Sequence, residues 1–189
     1  NCTGAECNAY LGGIAGLMQI DDATIQDARV QDVNFKRTDA SYDVYAGGIV
    51  GNIVLNYDMG RTIGVARDTV TGISFASCDY AGGLFGKMTL NPIQWTGITA
   101  SVSDAYVQGS VTALSYAGGL VGLVSEGTLA NSMSFGIAKS SVQADISVTG
   151  GNSYAGGLLG YFENMDSDSN IVVTIRDNST IGDVTGTQT

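Results

Sequence analysis

Carboxylates are the side chains of this sequence with the clearest capacity for chemistry. The chain contains 18 Asp and Glu residues and no histidine. Without histidine there is no Ser–His or Cys–His nucleophilic pair, and most zinc sites are excluded as well. An enzyme that cleaves polysaccharides could instead use the carboxylates that cluster near the two ends of the chain: Asp21, Asp22, Asp27, Asp32, Asp166 and Asp168. No residue pairs with them in a catalytic pattern, so we predict no catalytic residue and no enzymatic activity.

One acidic segment resembles the start of a calcium-binding loop. Asp166, Asp168 and Asn170 occupy the first, third and fifth places of such a loop, and Asp177 occupies the twelfth. The sixth place, which requires glycine for a sharp turn, is Ile171. We therefore predict no cofactor, and we keep Asp166, Asp168 and Asn170 as a candidate calcium site.

The three cysteines are an odd number, so at least one of them has no intramolecular disulfide partner. Cys7 and Cys78 precede Tyr10 and Tyr80 by similar distances, but they lie two repeats apart. That places them about 10 Å apart in a stack of strands, beyond the Cα separation of about 7 Å that a disulfide can span. We predict a Cys2–Cys7 disulfide with Cys78 free and buried. Three reduced thiols in a cytosolic protein are the alternative.

Two N-glycosylation triplets begin at Asn1 and Asn178, which fits a secreted glycoprotein. A chain rich in Ser and Thr also produces such triplets by chance. The longest apolar stretches, such as residues 117–124, are much shorter than the roughly 20 residues that cross a bilayer. We expect no membrane insertion, and we interpret the start at Asn1 as a mature or excised form.

The charge balance narrows the range of partners. The formal net charge is −10, with only 8 Lys and Arg residues. Binding to nucleic acid needs a basic surface, and the same acidity disfavours an anionic membrane surface. Hydrophobic residues make up 44% of the chain, which is enough for a packed core.

A repeated phrase of the form Tyr-x-Gly-Gly-(Ile/Leu)-x-Gly dominates the sequence. It begins at Tyr10, Tyr45, Tyr80, Tyr116 and Tyr154, so successive copies are 35, 35, 36 and 38 residues apart by subtraction. A fixed period of this length is typical of solenoids and related arrays, in which each unit buries its apolar face against the next. We therefore treat residues 1–189 as a single repeat array with partial repeats at both ends.

Three apolar segments recur in each repeat: the tyrosine phrase, a segment of alternating apolar and polar residues such as 98–102, and a pair of β-branched residues such as Val107 and Val111. This pattern predicts an all-β fold, a right-handed parallel β-helix with three short strands per rung and about five rungs. The tyrosines should stack as a column, and the Gly-Gly pair should either permit positive φ angles or bring neighbouring backbones close together. The Ile or Leu after the glycine pair should point inward. The residues expected to carry this architecture are Tyr10, Gly12, Gly13, Tyr45, Gly47, Gly48, Tyr80, Gly82, Gly83, Tyr116, Gly118, Gly119, Tyr154, Gly156 and Gly157.

The five phrases resemble the GLUG motif, a glycine-rich repeat of bacterial surface proteins that include adhesins. The resemblance spans the whole chain, and only the first copy departs from it, with Leu11 where the others have Ala. It implies an extracellular β-solenoid at the cell surface. It implies no catalytic residue and no particular ligand.

Each repeat varies most between the tyrosine phrase and the alternating segment, in residues 17–23, 52–60, 87–95, 123–131 and 161–170. Variable segments of repeat proteins tend to lie on one face, often the binding face. We therefore take Trp95 and Tyr161 as candidate residues of ligand-binding loops.

Three functions follow from these observations. The first is a structural module of a cell-surface fibre or filament, which stacks head-to-tail because the chain stops where another tyrosine phrase should begin. A fragment of a longer array would look the same. The second function is an adhesin that binds host protein or glycan through the variable loops. A polysaccharide-active enzyme is the remote third.

Overall fold

The computed structural model describes residues 8–37, 42–57, 61–92, 97–126, 132–163 and 170–186. The described part of the chain contains β-strands and no helix. Its strands form three parallel sheets that stack as a β-solenoid of about four turns. The predicted parallel β-helix is thus confirmed. We call the part of the chain from one tyrosine of the phrase to the next a level, so the first level begins at Tyr10 and the fifth at Tyr154.

The strands are short except where two segments merge. In chain order they are β1 Ala9–Gly12, β2 Ala15–Ile20, β3 Ala23–Gln26, β4 Arg29–Gln31, β5 Asn34–Lys36, β6 Val44–Gly47, β7 Val50–Tyr57, β8 Arg61–Ala66, β9 Thr69–Gly82, β10 Phe85–Pro92, β11 Ile98–Ser103, β12 Tyr106–Gly118, β13 Val121–Glu126, β14 Ser132–Ala138, β15 Ser141–Val148, β16 Tyr154–Gly156, β17 Leu159–Glu163, β18 Asn170–Arg176, β19 Ser179–Ile181 and β20 Val184–Gly186.

Each sheet collects one strand or a pair of strands from every level. The second sheet has the order β17-β13-β10-β7-β2, and the third has the order β18-β14-β11-β8-β3. The first sheet follows the path β1-β6-β9-β12-β15-β19, with β4, β5, β16 and β20 joined at its sides. Its register aligns each tyrosine of the phrase with the next one along the chain.

The tyrosine phrase is divided between two sheets, which the sequence analysis did not predict. Its first three residues end a strand of the first sheet, a bend follows, and its last residues begin a strand of the second sheet. In the middle of the molecule the first of these strands also contains the β-branched pair. The strand β9 therefore has 14 residues and β12 has 13. The prediction of three short strands per rung is thus wrong for the side of the rung that belongs to the first sheet.

Close backbone approach explains the second glycine of the phrase. A Cβ atom built on Gly48 would overlap the carbonyl oxygen of Gly83 in the next level and would lie 2.5 Å from Cγ1 of Val70. Since both contacts lie inside the corner, no side chain fits there. The predicted reason for the glycine pair is confirmed at this position.

The core is a set of columns of apolar side chains. Ile49, Leu84 and Leu120 of the phrase are fully buried, as are Phe75 and Phe135 from other sides of the rung. The inward direction predicted for the Ile or Leu of the phrase is therefore confirmed in the middle levels. In the first level the equivalent Ile14 is exposed.

Candidate functional site: the tyrosine column and the outermost levels

The five tyrosines of the phrase form one continuous stack. Their ring centroids are 5.1, 4.5, 5.3 and 5.8 Å apart from Tyr10 to Tyr154, and each neighbouring pair is stacked. This confirms the predicted column. Because the ring faces cover one another, burial raises the pKa of Tyr80 to about 12 and that of Tyr116 above its ordinary value. The stacked faces are used inside the column and are not free to bind a sugar ring.

Tyr161 belongs to this column and not to a loop. It lies in β17, and its ring stacks on Tyr154 at 4.5 Å and on Tyr116 at 5.5 Å. The prediction that places Tyr161 in a loop is therefore wrong, and a role of Tyr161 in ligand binding stays a prediction. The signal was present in the repeat, because Tyr161 follows the last glycine of its phrase just as Lys87 does. Trp95, the other residue of that prediction, lies outside the described residues.

Lys87 lies against the tyrosine column from the second sheet. Its Nζ atom is 5.9 Å from the ring centroid of Tyr45 and 5.6 Å from that of Tyr80, so the ammonium group contacts two levels. Burial lowers the pKa of Lys87, while Glu163 and Asp43 oppose that shift. Sequence reasoning did not single out this residue. A cation that lies over two stacked rings holds neighbouring levels together.

The carboxylates proposed as enzymatic groups near the start of the chain lie at corners of the solenoid. Asp22 accepts a hydrogen bond from the backbone nitrogen of Thr62 in the next level at 2.8 Å. Asp27 forms a two-fold hydrogen-bonded ion pair with Arg67, with a shortest distance of 2.7 Å. The hydrogen bond from Arg67 lowers the pKa of Asp27. These contacts join levels.

Asp27 and Arg67 begin a column of charges that alternate in sign. The column lies at the corner after the third sheet, where five non-glycine residues have positive φ angles between 52° and 58°. The backbone nitrogen of each of the first four residues donates to the carbonyl one residue before the next member of the column. From the first level to the fifth, the members are Asp27, Arg67, Asp104, Lys139 and Asp177.

Two buried aspartates that the sequence analysis did not identify fasten levels from within. Asp79 accepts hydrogen bonds from Arg37 Nη1 and from the backbone nitrogen of Val44, both at 2.7 Å. Asp68 is fully buried and accepts from the backbone nitrogen of Ala28 at 2.8 Å. Its Oδ2 atom has no hydrogen-bond partner among the described residues, and burial raises its pKa. Both carboxylates satisfy backbone groups of the preceding level.

Cys78 and Asn178 are the remaining predicted residues that the structure describes in full. Cys78 is a free and completely buried thiol, as predicted. Asn178 accepts from the backbone nitrogen of Ser140 at 2.8 Å, and its Nδ2 atom donates to the carbonyl of Ile137 at 3.0 Å. A glycan attached at Nδ2 leaves one hydrogen on that nitrogen to donate, so glycosylation of Asn178 stays a prediction. Asn1, Cys2 and Cys7 lie outside the described residues.

The candidate calcium site is only partly described. Asn170 begins β18, while Asp166 and Asp168 lie outside the described residues. Among the residues that the structure describes, no group of three His, Cys, Asp or Glu side chains is arranged to hold a metal ion.

The fifth level leaves core side chains exposed. Val173, Ile175 and Val184 have exposed fractions of 44%, 50% and 50%. The residues aligned with them in the fourth level, which are Phe135, Ile137 and Ile146, have exposed fractions of 0%, 0% and 1%. The difference arises because each level is covered by the next one, and the structure describes no level beyond the fifth.

The first level has a similar but smaller exposed surface. Ile14 is 58% exposed and Leu17 is 40% exposed, although their equivalents in the third level are buried or half-buried. The outer edges of β2 and β3 are not paired with any described strand. Within the described residues, the first and the fifth level thus each have an exposed apolar surface.

Within the described residues, no helix is long and apolar enough to cross a membrane. No family model matches this chain, and neither a curated protein nor a solved structure matches it either.

Proposed function

We propose that this protein is a non-enzymatic extracellular structural module: a β-solenoid building block of a cell-surface fibre or filament that stacks head-to-tail. The observation that carries the proposal is the exposed core of the fifth level, where Val173, Ile175 and Val184 lack the cover that their equivalents have. An exposed apolar surface of this kind marks a contact site.

The open strand edges support the same function. Edge strands present unpaired N–H and C=O groups that favour pairing with another chain. The outermost strands β17 and β18 at one end and β2 and β3 at the other are such edges. A contact between opposite ends of identical molecules leaves a new open end after each addition, so it produces a filament.

The use of the carboxylates supports a structural role over an enzymatic one. Asp27, Asp68 and Asp79 each engage a cation or a backbone nitrogen of a neighbouring level. A catalytic carboxylate needs access to a substrate, and Asp68 and Asp79 are buried. The extracellular location remains the expectation from the resemblance to the GLUG motif.

Assembly of the purified 189-residue chain tests the proposal. Sedimentation velocity over a range of protein concentrations should show species that grow with concentration, and negative-stain microscopy should show rods of constant width and variable length. Particles that stay one molecule long at every concentration would contradict the proposal.

An adhesin is the second candidate, and one observation favours it. The strands of the second sheet are in register, so the parts of the variable segments that lie in these strands are side by side on one sheet. A glycan array with the parent protein and the Trp95→Ala variant tests this function. Binding that depends on Trp95 favours the adhesin, and the absence of any bound glycan contradicts it.

A further inference from the structure

The atoms around the second glycine of the tyrosine phrase differ between levels that are covered by a next level and the fifth level. In the first four levels, a Cβ atom built on this glycine would overlap the carbonyl oxygen of the equivalent glycine in the next level. The contact recurs at Gly13, Gly48, Gly83 and Gly119, which meet the oxygens of Gly48, Gly83, Gly119 and Gly157. Any larger residue at these four positions collides with backbone, so glycine is obligatory there.

Gly157 in the fifth level is different. The three nearest atoms to a Cβ built on it all belong to the side chain of Thr180, at 3.0, 3.2 and 3.3 Å, and none of them is a backbone oxygen. A methyl group fits if Thr180 moves by a few tenths of an ångström. The packing of the described chain therefore gives no reason for glycine at this position, whereas a carbonyl from a sixth level would give the same reason as elsewhere.

The first level of a second copy fits this place. If the internal register continues across the joint, the carbonyl oxygen of Gly13 from the second copy takes the space above Gly157. Tyr10 of the second copy then lies over Tyr154, which is 48% exposed although it contacts Tyr116 and Tyr161, whereas Tyr45 inside the column is 7% exposed.

The same register joins the two exposed apolar surfaces. In the third sheet, the columns of aligned residues that end at Val173 and Ile175 begin at Ala23 and Ile25. A continued register therefore places Val173 against Ala23 of the second copy, and Ile175 against its Ile25. In the first sheet, Val184 meets Phe35. Each pair places an exposed side chain of the fifth level against an apolar side chain of the first.

We propose that the fifth level binds the first level of a second copy of this chain in the internal register of the repeat, and that Gly157 is the residue that admits it. This inference rests on the proposed function and specifies its joint.

The variant Gly157→Ala tests the joint, with Gly119→Ala as the matched control inside the stack. We expect Gly157→Ala to unfold at nearly the same urea concentration as the parent protein, and to need a concentration more than about tenfold higher for half-assembly, a loss of about 1.4 kcal/mol or more. Gly119→Ala should lose stability, because its methyl group meets the carbonyl of Gly157 within the chain.

The outcomes separate the joint from the proposed function. If the parent protein does not assemble, the proposed function fails and the joint fails with it. If the parent assembles and the folded Gly157→Ala variant assembles equally well, the joint is wrong while the filament stands.

A cross-linking experiment tests the register independently of the stability of Gly157→Ala. The continued register aligns Ser179 with Arg29 of the second copy, in the same column in which Ser179 Oγ lies 3.0 Å from Ser141 Oγ. The double variant Arg29→Cys/Ser179→Cys should form disulfide-linked oligomers on oxidation. The offset pair Arg29→Cys/Ile181→Cys should form fewer than about one tenth as many, since strand residues two apart are separated by about 6.6 Å. Equal yields from both pairs would overturn the register.

Discussion

At the residue scale, polar side chains join neighbouring levels at the corners, where they accept hydrogen bonds from backbone groups. Asp79 is the clearest case, because it binds both a guanidinium and a backbone nitrogen of the preceding level. Neither partner is near it in sequence. The residue types alone did not identify this contact, since it depends on the alignment of residues 35 and 42 positions apart.

Replacement of Asp79 should be among the most damaging single changes in the chain. Asp79→Ala removes the buried acceptor of two hydrogen bonds, one from Nη1 of Arg37 and one from the backbone nitrogen of Val44. Removal of one partner from a buried ion pair costs about 3–5 kcal/mol of unfolding free energy. Urea denaturation of the monomer measures the loss. Asp27→Ala, which breaks the exposed pair with Arg67, should have a much smaller effect. Comparable losses in the two variants would refute the distinction.

Alkaline pH should destabilise the protein, because a buried thiol and a buried phenol have higher pKa values in the folded than in the unfolded state. Burial raises the pKa of Cys78 from 9.0 to about 11 and that of Tyr80 from 10.0 to about 12. Because the unfolded state releases these protons first, their stabilising contribution is complete below pH 9.0 and is lost as the pH rises through about 11 and 12.

Urea denaturation at several alkaline pH values, together with the absorbance of tyrosinate, measures this loss. The variant Cys78→Ala is the control, since it removes the thiol and should lose less stability between pH 9.0 and about 11 than the parent protein does. The same pH dependence in both proteins would mean that Cys78 does not contribute.

At the element scale, the repeat was enough to predict the stacked strands, but not that the tyrosine phrase is divided between two sheets. The alternating segment and the tyrosine column appear as predicted because each residue lies above its equivalent in the previous level. The bend inside the tyrosine phrase was missed because a Gly-Gly pair is compatible with either a strand or a corner. Tyr161 was placed in a loop for a related reason: the variable segments differ in composition, although their first residues continue the strands of the second sheet.

Two glycines of the second level should respond in opposite ways to the same substitution. Gly48→Ala forces a methyl group into the carbonyl of Gly83 and should prevent normal folding, whereas a Cβ on Gly64 meets nothing within 4 Å. A glycine inside a strand costs roughly 0.5–1 kcal/mol relative to alanine, so Gly64→Ala should stabilise the protein by up to that amount. Circular dichroism and thermal unfolding of the two variants provide the comparison. Stable folding of Gly48→Ala would show that the corner is looser than described.

At the scale of the whole molecule, the two outermost levels of the described residues carry the same charge at one corner. The corner column alternates in sign through the five levels, so it begins with Asp27 and finishes with Asp177. Continuation of the register across a joint places Asp177 next to Asp27 of the second copy. Like charges directly opposite one another on paired strands are unfavourable. The sequence offered no signal for this column, since its members are of opposite charge and lie in segments of different composition.

Neutralisation of this one position should therefore strengthen the joint. Asp177→Asn removes a repulsion of about 0.2–1 kcal/mol and should lower the concentration for half-assembly by up to about fivefold. Asp183→Asn is the control, because the aligned residue of the second copy is the uncharged Asn34. Sedimentation velocity measures the concentration for half-assembly of each variant. An equal shift in the two variants would reflect net charge alone and would argue against the Asp177–Asp27 contact.

The direction of the hydrogen bonds has a mechanical consequence. Every ladder in the three sheets connects one level to the next, so the bonds lie nearly along the stacking axis. Tension applied along that axis loads the interfaces in series, and the weakest interface alone sets the rupture force. A fibre of such units would break cleanly between two levels while the remaining turns stay wound.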